Sequence, residues 1–293
     1  MSMNKKLKGT GVAIVTPFFL DGSIDYDSLD NLLGHLLKGK VDFIVALGTT
    51  SEAVTLTTEE KSAVMTFVKS RIVGKIPLVM GMGGNNTQAI LDQIRNTDFS
   101  GIDAILSVAP YYNKPNQRGL YAHFSAIAKA SPLPVILYNV PGRTSSNISA
   151  DTTIKLANDF KNIIAIKEAS GDLGQIMQII RQKPDGFSVL SGDDALTYSM
   201  MALGAEGVIS VVANALPREF SQMVADCLKG DFKKARTIHY ELLPVIDLLF
   251  ADGNPAGIKA ALNSLGICKN YLRLPLVPVK DEIQQALEEI LVV

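Results

Sequence analysis

Cysteine is scarce in this chain: Cys227 and Cys268 are the two present in 293 residues. Two are too few for the disulfide framework of a small secreted domain, and neither belongs to a Cys-x-x-Cys pair. They read as buried thiols of a reducing compartment. Histidine is nearly as rare. His35, His123 and His239 form no His-Glu-x-x-His and no Cys/His cluster, so no metal site is expected. An excess of charge of one sign is also missing. Lys and Arg total 28 against 29 Asp and Glu, a formal net charge of -1. Nucleic-acid affinity rests mainly on phosphate neutralisation, so no nucleic-acid partner is expected. A polybasic membrane anchor is excluded on the same ground.

Long apolar runs are absent too. None reaches the roughly 18 residues that a bilayer crossing needs, so no membrane span is expected. Lys5, Lys6 and Lys8 precede an apolar stretch from Gly9 to Leu20 that mimics a secretion signal. Pro17 interrupts it, Asp21-Gly22 follows it, and no small-x-small cleavage site appears. A first buried strand and a cytoplasmic protein are the expectation. Phosphate loops of the Gly-x-x-x-x-Gly-Lys-Ser/Thr type, Gly-x-Gly-x-x-Gly after a strand, and Gly-x-Ser-x-Gly elbows are all missing. Gly81, Gly83 and Gly84 fit no nucleotide fingerprint. No cofactor is expected.

What is present is ordinary globular composition, 47% apolar and 19% charged. A chain this long buries roughly 75% of its unfolded surface without disulfides or metals. At about 150 residues per domain the length suggests two domains, although single barrels run to about 250. Eight short apolar runs recur: Val12 to Val15, Phe43 to Leu47, Ile76 to Met80, Ile102 to Leu106, Pro134 to Tyr138, Ile163 to Lys167, Phe187 to Leu190 and Val208 to Val211. They are nearly continuous rather than alternating, as strands buried on both faces are. Helical stretches lie between them. Asp25 to Leu37 places Leu29, Leu32, Leu33, Leu36 and Leu37 at three-four spacing. Thr57, Glu59 and Glu60 open the next helix with a cap and first-turn acids. Gln117 to Ala130 and Pro217 to Leu228 read similarly. The runs end about 28 residues apart on average, the size of one βα unit.

Eight such units in strict alternation favour an α/β fold, a closed (β/α)8 TIM barrel, over an open doubly wound sheet. After Gly230 the pattern stops. Helices are expected at Phe232 to Phe250, Pro255 to Ser264 and Asp281 to Leu291, with Leu274 to Pro278 as a turn or connector. The division is a catalytic barrel over 1–229 and a helical appendage over 230–293.

In such a barrel the active site lies at the carboxyl ends of the strands. Those ends carry Gly48-Thr49-Thr50-Ser51-Glu52, Tyr111-Tyr112-Asn113-Lys114-Pro115, Tyr138-Asn139-Val140-Pro141-Gly142-Arg143, Lys167-Glu168-Ala169 and Ser191-Gly192-Asp193-Asp194. Lys167 stands out. It follows four apolar residues, so its stem is expected to leave the strand and point into the barrel mouth. A lysine must shed its proton to attack a carbonyl, and desolvation favours the neutral amine. The alternative is a structural lysine paired with Glu168. Tyr111, Tyr112 and Tyr138 put phenols at one rim, as proton relays or as packing residues with wet hydroxyls. Thr49 and Thr50 offer a carboxylate cradle or a plain turn. Arg143 is a bidentate carboxylate clamp or a solvated arginine. Glu52 is a cap or an orienting residue for the loop, or else a catalytic acid. The residues alone thus point to a cofactor-free barrel enzyme with a lysine nucleophile and carboxylate-binding groups.

The same five stretches, in this order and spacing from Gly9 to at least Pro278, resemble the dihydrodipicolinate synthase family. The resemblance implies a class I aldolase-type lyase of lysine and diaminopimelate biosynthesis, with pyruvate and L-aspartate 4-semialdehyde as substrates. It implies that Lys167 forms the imine with pyruvate. It matches Tyr138, Thr49 and Tyr112 to a proton-relay triad, with Tyr112 supplied by a neighbouring subunit. Thr50 matches a pyruvate-carboxylate contact, Arg143 the clamp on the semialdehyde carboxylate, and Gly192 and Ile209 lesser pocket positions. A homo-oligomer, a tetramer built as a dimer of dimers, is implied as well. Ser51 departs from the family's usual glycine. Lys61 and Ala89 stand where lysine-inhibited members carry a histidine and a glutamate, although Asn85 and Tyr111 match that pocket. Weak or absent lysine feedback is therefore expected. The resemblance also extends to related enzymes of this fold, N-acetylneuraminate lyase and keto-deoxy sugar-acid aldolases, and Arg143 favours the synthase because the lyases of that group lack this arginine. A non-catalytic ligand-binding barrel is the remaining alternative, and it predicts no covalent chemistry.

Overall fold

Lys5 and Lys6 lie outside the residues that the computed structural model describes, 7–291. Eight parallel strands follow one another around the sheet: β1 (Gly9–Ala13), β2 (Phe43–Ala46), β3 (Leu78–Gly81), β4 (Ala104–Val108), β5 (Val135–Asn139), β6 (Ile163–Glu168), β7 (Ser188–Ser191) and β8 (Gly207–Ser210). β8 pairs with β1, so the sheet closes and the open-sheet alternative falls. Each of the eight expected runs holds a strand. β1 starts earlier than its apolar run, for a packing reason. A Cβ on Gly9 would lie 2.1 Å from Asp42 Oδ2, and one on Gly11 2.2 Å from the Phe43 ring. The neighbouring strand fills the side-chain space, so the opening of β1 is glycine and hides from a hydrophobicity count.

The barrel is wrapped by α1 (Tyr26–Lys38), α2 (Thr58–Ile72), α3 (Thr87–Asn96), α4 (Gln117–Ala130), α5 (Pro141–Thr144), α6 (Ala150–Asp159), α7 (Leu173–Gln182), α8 (Thr197–Ala202) and α9 (Pro217–Leu228). Their starts follow local chemistry. The Asp25 carboxylate accepts the Ser28 N–H, and Thr57 with Glu60 forms a reciprocal capping box. The leucines of α1 expected on one face are buried, apart from the partly buried Leu37. Two apolar layers result. One fills the barrel with side chains such as Phe43, Val45, Ile136 and Leu190. The other lies between strands and helices and continues into the C-terminal helices.

Those helices are α10 (Phe232–Ala251), α11 (Ala256–Ser264) and α12 (Asp281–Leu291). They start and stop within two residues of the expected spans. α10 packs on α8 and α9, and α11 and α12 pack on α10. Among the described residues, no helix is long and apolar enough to cross a membrane.

Candidate active site

Two neighbouring strands set the centre of the site. In a parallel pair, partnered residues share a face, and each residue slipped turns every later side chain over. β5 and β6 pair Val135 with Ile163, but the next pair is Ile136 with Ala165. Ile164 is therefore an extra residue, a β-bulge, and both Ile164 and Ala165 join the interior core. Beyond it Tyr138 partners Lys167, and Asn139 partners Glu168. Without the bulge, strict alternation from Ile163 would send Lys167 out toward the helices. With it, Lys167 and Tyr138 face the barrel mouth together, and Lys167 Nζ lies 4.4 Å from the centroid of the Tyr138 ring.

Glu168 takes the opposite face. Its buried carboxylate accepts N–H bonds from Asn139, Ser170 and Gln175, yet desolvation still pushes its pKa up. A Lys167–Glu168 ion pair is thereby ruled out. Among the described residues Lys167 has no ion-pair partner, and it is buried.

Gly192 makes room for it. A Cβ there would sit 2.9 Å from Lys167 Cε and 3.0 Å from Lys167 Cγ. Next to Gly192, Asp194 is enclosed. Its Oδ2 accepts the N–H groups of Val211 and Val212, and desolvation raises its pKa. That contact anchors the exit of β8.

Lys167 opens onto a cavity of about 530 Å³, within the usual range for small-molecule sites. Thr49, Thr50, Tyr138, Arg143 and Gly192 also line it, so six of the eight residues singled out from sequence converge. Thr49 and Thr50 sit on the turn after β2. Ser51 is accommodated without a left-handed backbone. Its hydroxyl donates to Ile14 O at 2.5 Å, and its carbonyl accepts the Thr16 hydroxyl at 2.8 Å. Arg143 lies on the short α5, which Pro141 opens, and its Nη2 donates to Asn254 O at 3.1 Å. The other two residues lie elsewhere. Ile209 is enclosed in the barrel interior rather than on the cavity wall. Tyr112 is 87% exposed at the rim, with a left-handed φ of 73°.

One wall was missed by sequence reasoning. Asp247, Phe250 and Asn254 come from α10 and the turn after it. The Asn254 amide donates to Thr50 Oγ1 at 3.0 Å, while its own Oδ1 is buried without a protein donor. The appendage therefore completes the site. A Gly253-Asn254-Pro255 break between two amphipathic helices was the available signal, but nothing local told which strand ends it would meet. Lys61 and Ala89 line one separate cavity, between α2 and α3.

A barrel whose buried lysine shares a cavity with a phenol, two threonines and an arginine would suit several aldolases. The comparison with known families separates them. The model of the dihydrodipicolinate synthetase family matches residues 6–293. The chain belongs to this family. The 4-hydroxy-tetrahydrodipicolinate synthase of Parabacteroides distasonis is 52% identical over 285 residues, covering 97% of this chain and 96% of that one. The synthase of the same name from Phocaeicola vulgatus is 53% identical over 275 residues, 94% of this chain and 93% of the other. Among solved structures, dihydrodipicolinate synthase from Aquifex aeolicus superposes with a TM-score of 0.94 at 44% identity, over 97% of both chains. The family resemblance and the (β/α)8 TIM barrel read from sequence are thus borne out, and with them the reading as a Schiff-base lyase.

Proposed function

We propose that this chain condenses pyruvate with L-aspartate 4-semialdehyde to 4-hydroxy-tetrahydrodipicolinate, with Lys167 as the imine-forming residue. The observation that carries the reading is Lys167 itself: buried, free of any ion pair among the described residues, and aimed by a bulge into a cavity. Its amine attacks the pyruvate carbonyl, and water leaves as the imine forms. The imine withdraws electrons, so a methyl proton is lost and an enamine results. The enamine carbon adds to the semialdehyde carbonyl. The amine of that adduct then closes on the imine carbon and expels Lys167. Tyr138, Thr49 and Tyr112 pass protons, Tyr112 coming from a neighbouring subunit. Thr50 holds the pyruvate carboxylate and Arg143 the semialdehyde carboxylate. Gly192 and Ile209 shape the pocket and the packing beneath it.

The barrel over 1–229 carries the chemistry, and 230–293 closes one wall. The assembly is a tetramer built as a dimer of dimers, working in the cytoplasm in lysine and diaminopimelate biosynthesis. With Lys61 and Ala89 in place, lysine inhibits weakly or not at all. Borohydride added with pyruvate should leave a reduced pyruvyl adduct on Lys167, and Lys167→Ala should abolish it. Wild-type protein without an adduct sinks every imine reading, the ligand-binding barrel alone surviving. Turnover with aspartate semialdehyde, and none with N-acetylneuraminate, separates the synthase from its lyase relatives.

A further inference from the structure

One acid and one amine are fully buried and take no part in the chemistry above. Glu52 Oε1 and Lys259 Nζ lie 2.5 Å apart, and both side chains are completely enclosed. Lys259 comes from α11, 207 residues further along the chain. Its Nζ also donates to Tyr271 O at 2.8 Å and lies 4.1 Å from the centroid of the Phe18 ring. The second carboxylate oxygen of Glu52 accepts the Arg273 N–H at 3.0 Å. Neither residue lines the cavity of Lys167.

Burying two charges is costly, and well-packed apolar residues of similar volume often serve stability as well or better. An ion pair kept in such a place needs another reason. Its location supplies one. Glu52 ends the stretch that carries Thr49 and Thr50, and its N–H donates to Thr49 O at 3.0 Å. Its backbone is left-handed, with φ 53°, a conformation that a glutamate adopts only where its surroundings impose it. Thr50 is itself held from the appendage through the Asn254 amide. Asn254 precedes α11 and Lys259 lies within it, so one segment grips the turn at two points.

We propose that Lys259 and Glu52 are a positioning pair, through which α11 fixes the turn bearing Thr49 and Thr50 and so the cradle for the keto-acid carboxylate. The inference rests on the role given to Thr50 above. Directional hydrogen bonds hold the turn in one register, which apolar contact would not. The appendage then acts on catalysis as well as on packing.

The test replaces both charges at once, Glu52→Gln with Lys259→Met, leaving no unpaired ion. Borohydride trapping on Lys167 is followed against the concentration of pyruvate and, separately, of acetone, which has no carboxylate. The double variant should fold with a Tm near that of wild type. Its half-saturating pyruvate concentration should rise about tenfold or more, with trapping by acetone unchanged. Glu52→Gln alone, which keeps volume but turns one of the two acceptor oxygens into a donor facing Lys259 Nζ or the Arg273 N–H, should show the same split and serves if the double variant does not fold. Unchanged pyruvate saturation in a folded variant overturns the proposal. So does an equal loss with both ketones, since a loosened barrel would not distinguish them. Wild-type protein that pyruvate never labels would instead condemn the assignment of Lys167.

Discussion

At the scale of single residues, Lys167 is useful because of what surrounds it. Four apolar residues before it made the lysine visible in the sequence. The clearance it needs was less visible, because an absent side chain leaves no chemical signature. Gly192 shows the point. A methyl group there would contact both Cγ and Cε of Lys167 at 3.0 Å or less, and Ala169 Cβ at 2.8 Å. The strand ends are held by backbone pairing, so the flexible lysine would yield first. Gly192→Ala should therefore keep the fold, by circular dichroism and Tm, while imine formation with pyruvate slows by on the order of 100-fold, the usual result of misplacing a reacting group by about 1 Å. Normal trapping in that variant would mean that the lysine has a second usable rotamer. Asn254 illustrates the opposite limit of sequence reading. It is one asparagine in a turn, and its meaning arises only because Thr50 Oγ1 and Arg143 Nη2 meet it from distant strand ends.

At the scale of elements, most of the architecture was legible. Buried parallel strands leave unbroken apolar runs, and capped helices announce their starts, so α4 and α9 span the residues expected of them. The bulge at Ile164 was not legible, since Ile163-Ile164-Ala165-Ile166 is equally apolar in either register. The orientation of Lys167 was expected correctly, but its cause lies in pairing. The segment between α11 and α12 also gained a purpose. Arg273 grips Glu60 at the start of α2 through two short contacts and donates to Gly22 O and Thr55 O. The Arg273 guanidinium pulls the Glu60 carboxyl from 4.5 down to about 2. A depressed carboxylate pKa stabilises the fold above the unfolded value, and that contribution fades as pH falls through the folded one. Glu60→Gln should thus lower Tm at neutral pH. The gap to wild type should stay constant down to about pH 4.5 and narrow toward pH 2. A gap that stays constant throughout would show that the loss comes from altered contacts and not from the charge, and no gap at all would show that the charge adds nothing.

At the scale of the whole molecule, Tyr112 poses the remaining question. A phenol that is 87% exposed on a left-handed backbone is an uncomfortable arrangement for a lone chain. Val54, 84% exposed, adds apolar surface that water also disfavours. Both features make sense if a second copy covers these residues and receives Tyr112 into its own cavity. An isologous dimer would then exchange the residue both ways, giving each site Lys167 from one chain and Tyr112 from its partner. The arrangement can be tested by complementation. Lys167→Ala and Tyr112→Phe proteins should each be nearly inactive. After the two are mixed under conditions that let subunits exchange, half of the dimers pair one of each. Such a dimer has one site with both residues intact and one with neither, so activity should recover to about a quarter of the wild-type value. A relay confined to one chain predicts no recovery at all, because every subunit then carries its own defect. Full activity of Tyr112→Phe on its own would remove the phenol from the relay and leave its exposure to be explained by packing alone.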